Sequence, residues 1–139
     1  MIMQNLQKGS HCVYKIAYKI IWFTKYHKSV LYGPEAVRIR AIIKELCNDL
    51  KVQILKGVIR SDHVELVVSI PPTISISSFI RKAKGKSAYF ILQESERIQK
   101  QYPARHLWAR GYCVTTDIED TSEIAFQYLT EIEESSSLD

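Results

Sequence analysis

The sequence predicts an α+β fold in which a four-stranded antiparallel sheet carries two helices on one face. Three observations predict it. Apolar and β-branched runs alternate with helical periodicities in the order β-α-β-β-α-β, followed by a further helix. A tight Ser61-Asp62 turn joins the middle two strands, and Gly33-Pro34 and Pro71-Pro72 punctuate the chain where helices should begin or strands end. The length of 139 residues, with 46% apolar and 24% charged residues, suits one domain that buries roughly two-thirds of the surface its unfolded form exposes.

The first strand spans Val13 to Phe23, rich in β-branched and aromatic residues with lysines interspersed. A basic turn follows at Thr24 to Lys28. Pro34 suits the first turn of a helix running to Leu50, whose Val37, Ile39, Ile42, Ile43, Leu46 and Leu50 recur at three- and four-residue spacing and form one buried face. Val52 to Ile59 and His63 to Ile70 read as an antiparallel hairpin. A long helix then runs from Ser75 toward Lys100, with Gly85 inside it as a weak point or a place of close approach to the backbone. Tyr112 to Thr116 is the fourth strand, and Thr121 to Glu134 is a closing helix capped by Thr121-Ser122-Glu123. One domain covers residues 1–139, with a core over 13–134 and mobile ends at 1–12 and 135–139. This βαββαβ order is the ferredoxin-like arrangement, which hosts enzymes and binding modules alike, so function must come from the site.

Three cysteines without a CxxC pair argue against a disulfide framework or a zinc knuckle, and Met1 to Cys12 lacks the pattern of a signal peptide. No apolar run reaches the roughly 18 residues of a membrane span. A soluble, cytoplasmic protein is the expectation. Its net charge of +4 conceals an asymmetry: residues 1–116 hold all 19 basic residues against 7 acidic ones, and residues 117–139 hold 8 acidic residues and no basic one. A basic body with an acidic tail is the distribution of a polyanion binder, although a solvated charged surface has the same signature.

Asp62-His63-Val64-Glu65 is the strongest local feature. Side chains two apart on a strand share a face, so His63 and Glu65 project together while Val64 and Leu66 enter the core. An imidazole beside a carboxylate can hold a divalent cation or exchange a proton, though on its own such a pair is ordinary on a strand surface. Tyr128, one turn from Ile124 and Ile132 on the closing helix, is a half-buried tyrosine or a nucleophile. A phenol of ordinary pKa near 10 needs a nearby cation for the second role. Lys25 and Lys28 after the first strand, Arg81, Lys82, Lys84 and Lys86 on the long helix, and Arg110 beside Gly111 are candidate phosphate contacts. Trp108 suits either the core or base stacking.

Five segments, in order, resemble a known family: Tyr18-Lys19-Ile20-Ile21-Trp22-Phe23-Thr24-Lys25-Tyr26; Ser61-Asp62-His63-Val64-Glu65-Leu66; Phe79 through Ala88; Leu107-Trp108-Ala109-Arg110-Gly111-Tyr112; and Gln127-Tyr128. They are similar to the single-tyrosine HUH transposases of small insertion sequences, the two-hundred and six-hundred-and-five group, with the related repeat-associated tyrosine transposases. The resemblance implies a ferredoxin-like homodimer that binds hairpins in single-stranded DNA. It further implies that Tyr128 attacks the scissile phosphate to form a 5′-phosphotyrosine, assisted by a divalent metal. It makes His63 one metal ligand and puts Glu65 where the family has a second histidine, a hard oxygen that favours Mg²⁺ or Mn²⁺. A glutamine usual one turn after the tyrosine is Ile132 here, which has no lone pair to offer, and Glu131 and Glu133 point roughly 100° away from it. Two readings follow: a transposase with a variant metal site, or a non-catalytic hairpin-binding protein descended from one. An RNA-binding sheet fits less well, because paired stacking aromatics are not evident on the central strands.

Overall fold

The computed structural model describes residues 7–8, 13–14 and 16–116. Two short strands, β1 (Gln7–Lys8) and β2 (Val13–Tyr14), pair with each other. The main unit is β3 (Ala17–Phe23), α1 (Gly33–Leu50), β4 (Gln53–Ile59), β5 (His63–Ser69), α2 (Ile76–Glu94), α3 (Glu96–Gln101) and β6 (Cys113–Thr115). The sheet order is β4-β5-β3-β6 with every neighbour antiparallel, as the ferredoxin-like reading requires. The closing helix expected over Thr121 to Glu134, with Tyr128, falls outside the described residues.

Two elements differ from the sequence reading. The strand expected over Val13 to Phe23 is divided, because β3 begins only at Ala17, opposite Ser69. Beyond Ser69 the partner chain reaches Pro71-Pro72, which has no N–H with which to extend the ladder. The helix expected from Ser75 to Lys100 breaks at Ser95, whose extended backbone (φ −113, ψ 107) ends α2 while its side chain accepts from Ile98 N and caps α3. Arg97, the second residue of α3, ties this break back to α1: its guanidinium bonds Glu35, donates to Val30 O at 2.9 Å and lies 3.9 Å over the Tyr32 ring. That contact holds the Glu35 carboxyl below the usual carboxylate range.

Other boundaries follow local chemistry. Ser75 accepts from Ser78 N at 3.1 Å to open α2. Gly33 enters α1 at φ +63, where a Cβ is disfavoured, and Pro34 fills its first turn. Leu55 is the extra residue of a β-bulge in the edge strand β4, between the pairs Ile54↔Val68 and Lys56↔Val67.

The core lies between the sheet and the helices. Ile20 and Trp22 of β3 and Val64, Leu66 and Val68 of β5 meet Ile39 and Ile43 of α1 and Phe79, Ile80 and Ala83 of α2. The alternating residues Ile21 and Phe23 join Ala109 in a second cluster on the other face. Where β3 leaves the sheet, Thr24 is fully buried and fixes three segments at once. Its N–H donates to Asp62 O at 2.9 Å, and its hydroxyl donates to Lys28 O at 2.8 Å and approaches Asp62 O at 3.2 Å. Substituting Thr24→Val keeps the shape and removes the hydroxyl. Urea denaturation should show a loss of about 1–3 kcal/mol, and an unchanged midpoint would show that this hydroxyl does not organise the corner.

Candidate active site

The β5 register sets the orientation of the site. Val64 and Leu66 point to the helices, and His63 and Glu65 point to the opposite face, as the strand spacing predicts. The imidazole is partnered at both nitrogens: Asp62 Oδ1 lies 2.7 Å from Nδ1, and Glu65 Oε1 lies 3.2 Å from Nε2. All three side chains are largely buried, at 13% exposure for His63, 21% for Asp62 and 19% for Glu65. Phe23, opposite His63 in the sheet, packs its ring 4.9 Å from the imidazole and limits its rotation.

This arrangement is suited to a cation. If the ring carries its proton on Nδ1, donated to Asp62, its Nε2 lone pair faces a carboxylate oxygen. A positive charge shared between them, a proton or a metal ion, makes that contact favourable. Two ligand atoms 3.2 Å apart can also occupy adjacent positions on an ion bound at about 2.1 Å. Asp62 then orients the ring from behind, a role the sequence reading missed although the residue stands beside His63 in the row. One nitrogen and one oxygen leave room for water, which suits Mg²⁺ or Mn²⁺. Among the described residues no group of three or more His, Cys, Asp or Glu is arranged around one ion.

Beside Glu65, a cleft of about 60 Å³ is lined by Lys19, Lys56, Val58 and Val67. A larger groove of about 320 Å³ runs between α1 and β4, lined in part by Arg40, Lys44 and Lys56, away from His63.

The candidate phosphate contacts fall into two groups. Arg81, Lys82 and Lys86 are exposed on α2, and Arg110 is exposed in the loop before β6. Lys25 and Lys28 flank the turn after β3, with Lys28 Nζ donating to Gln101 O at 2.9 Å. Lys84 departs from the sequence reading. Its ammonium is turned inward and donates to Ala109 O at 2.9 Å and Gly111 O at 3.1 Å, so it is a strut under the loop rather than a member of the exposed array. Burial lowers its pKa from the ordinary 10.5 to about 8. Trp108 packs edge-on against Trp22 at 5.9 Å and donates to Lys84 O at 3.0 Å, which places it with the core. Cys47 is buried, and desolvation pushes its thiol up to about 12, in keeping with a packing role.

The chain matches the family model described as Transposase IS200 like over residues 12–132. The transposase for insertion sequence element IS200 of Salmonella typhimurium is 30% identical over 125 residues, spanning 90% of this chain and 82% of that protein. The ISDra2 transposase TnpA of Deinococcus radiodurans is 27% identical over 125 residues, spanning 90% and 89%. A solved chain from Deinococcus radiodurans R1, assigned as a transposase, superposes with a TM-score of 0.79 at 28% identity over 91% of this chain and 97% of that one. The REP-associated tyrosine transposase, solved bound to a REP hairpin, shares the fold with a TM-score of 0.57 at 13% identity over 87% and 67%. The βαββαβ sheet, which superposes on a solved transposase over nearly its whole length, is that of a transposase domain. This chain belongs to the IS200-like transposase family.

The inward position of Lys84 predicts a pH dependence. The unfolded chain holds the proton up to about 10.5 and the folded chain only to about 8, so the folded state binds fewer protons between those values. Stability relative to Lys84→Met should therefore rise with pH from 8 to 10.5 in chemical denaturation. A difference that stays flat across the window would show that the amine is not held as described.

Proposed function

We propose that this chain is a DNA transposase that binds hairpins in single-stranded DNA and cleaves and rejoins strands through a 5′-phosphotyrosine at Tyr128. It would act in the cytoplasm as a homodimer, with a divalent metal, Mg²⁺ or Mn²⁺, held by His63 and Glu65. The observation that carries the reading is the pair itself: an imidazole nitrogen and a carboxylate oxygen 3.2 Å apart on a rigid central strand, the ring oriented by Asp62. Family membership supplies the reaction class, and the chain's placement of these groups supports it.

The chemistry is a phosphoryl transfer in which the phenolic oxygen of Tyr128 forms a bond to phosphorus as the bond to the 3′ oxygen breaks. The phenol's proton ends on the released 3′-hydroxyl. The covalent link keeps the phosphodiester's energy, so a 3′-hydroxyl can reverse the step and join a new strand. A bound divalent ion would neutralise charge on the non-bridging oxygens and favour the phenolate. His63 and Glu65 would fix its position, and Asp62 would hold the ring in the tautomer that presents Nε2. Arg81, Lys82, Lys86, Lys25, Lys28 and Arg110 would contact phosphates and make affinity fall with salt. Lys84 supports the Arg110 loop from beneath.

Glu65 and Ile132 favour a second reading, a hairpin-binding protein that no longer cleaves. One experiment separates the two. With a single-stranded hairpin oligonucleotide and Mg²⁺ or Mn²⁺, the protein should form a covalent adduct whose mass maps to Tyr128 and is absent from Tyr128→Phe. Retained hairpin binding with no adduct under any metal would overturn the cleavage reading and leave the binding one. A companion change tests the metal site: Glu65→His combined with Ile132→Gln should raise cleavage on the order of tenfold or more, assayed at limiting metal. Unaltered activity would mean that neither residue limits the site.

A further inference from the structure

Gly85 sits at an exposed position in the middle of α2, where a glycine weakens the helix. Nothing in the surrounding structure requires it. Its φ is not positive, and among the described residues a Cβ placed on it would meet nothing within 4 Å. Alanine would therefore fit there and strengthen the helix. A position left without a side chain, and with no need of that inside the molecule, is one where a partner can touch the helix backbone itself.

The charges around Gly85 indicate the class of that partner. Arg81 and Lys82, one turn earlier, share its face, and Lys86 follows it; all three are exposed. Lys84 lies on the other flank of the helix. There its Nζ donates to Ala109 O and Gly111 O, and Trp108 Nε1 donates to Lys84 O at 3.0 Å, so the loop with exposed Arg110 is fastened to the same turn. Gly85 is thus a gap with Lys82 and Lys86 to one side, and Arg81 and the Arg110 loop to the other. Among the described residues none of these four exposed cations is paired with an acid, and from Ile76 to Gln93 the helix holds no acidic residue. A bare strip of helix between four cations suits a sugar–phosphate backbone, its bulk against the glycine and its phosphates to either side.

We infer that Gly85 is the point of closest approach for the sugar–phosphate backbone of one strand in the stem of a bound DNA hairpin, with Arg81, Lys82, Lys86 and Arg110 contacting the flanking phosphates. This rests on the hairpin-DNA reading above. α2 covers the sheet face opposite to His63 and Glu65, so the contact holds the stem and takes no part in the strand chemistry. A backbone contact carries no base information, so it adds affinity whatever the stem sequence.

The test measures fluorescence anisotropy at low salt with labelled DNA hairpins that differ in stem sequence, together with thermal melting of the free protein. Gly85→Ala should bind about five- to a hundredfold more weakly than wild type, by a similar factor for each hairpin, and Gly85→Leu more weakly still. Both variants should melt higher than wild type without DNA, because the helix gains a better helix former and the added atoms enter open space, so lost affinity is not unfolding. Lys82→Gln should weaken binding and reduce the slope of log affinity against log salt by about one, the mark of a phosphate contact beside the glycine. Undiminished binding by Gly85→Ala and Gly85→Leu would overturn this inference alone, as would weaker binding accompanied by a lower melting temperature or confined to one stem sequence. Failure of the wild-type protein to bind any of the hairpins at low salt would overturn the DNA reading as well.

Discussion

The seven-residue antiparallel register between β3 and β5 is the constraint on which the rest depends. It runs without interruption from Ala17↔Ser69 to Phe23↔His63 in the two central strands. Because side chains alternate, this one register sends Ile20, Trp22, Val64, Leu66 and Val68 into the helix-covered core and His63 and Glu65 to the other face. A slip by a single residue would bury the imidazole and carboxylate among hydrocarbon side chains and bring Val64 and Leu66 to the site. The bulk of the hydrophobic driving force therefore also acts to orient the two polar groups, and the site inherits the rigidity of the core.

Two small supports extend that rigidity beyond the sheet. Thr24 joins the end of β3 to the turn before β5 and to Lys28, so the basic turn, Asp62 and His63 are positioned by one buried hydroxyl and its backbone. Lys84 does the same from α2, bonding the carbonyls on both sides of Arg110 while Trp108 closes against the same helix turn. Burying an ammonium is unfavourable, and the two carbonyls offset that cost only in part, which is why its proton is held less tightly than on an exposed lysine.

What could be read from the row of residues was what depends on local periodicity. The alternation in His63 to Ser69 placed His63 and Glu65 on one face, and the three- and four-residue spacing in α1 gave its buried stripe. Misplaced features depended on partners distant in sequence. Val13 to Phe23 has uniform strand chemistry, and its division is decided by where β5 runs into Pro71. Lys84 is indistinguishable in sequence from Arg81, Lys82 and Lys86, and only the path of the loop 25 residues later turns it inward. Ser95-Glu96 carried a legible capping signal inside what read as one helix. Asp62 was visible as a neighbour of His63, but its role as the ring's orienter required the Nδ1 contact. Tyr128, to which the family resemblance gives the chemistry, lies outside the described residues.

The bulge at Leu55 has a consequence for the molecule as a solute. A straight outermost strand presents an unbroken row of amides and carbonyls on which other chains can anneal. Here the row is kinked near its start and followed directly by the exposed cationic side chain of Lys56, so extended ladders of the amyloid type meet both a geometric mismatch and charge repulsion. Interrupting that edge limits strand-to-strand pairing between copies of the chain.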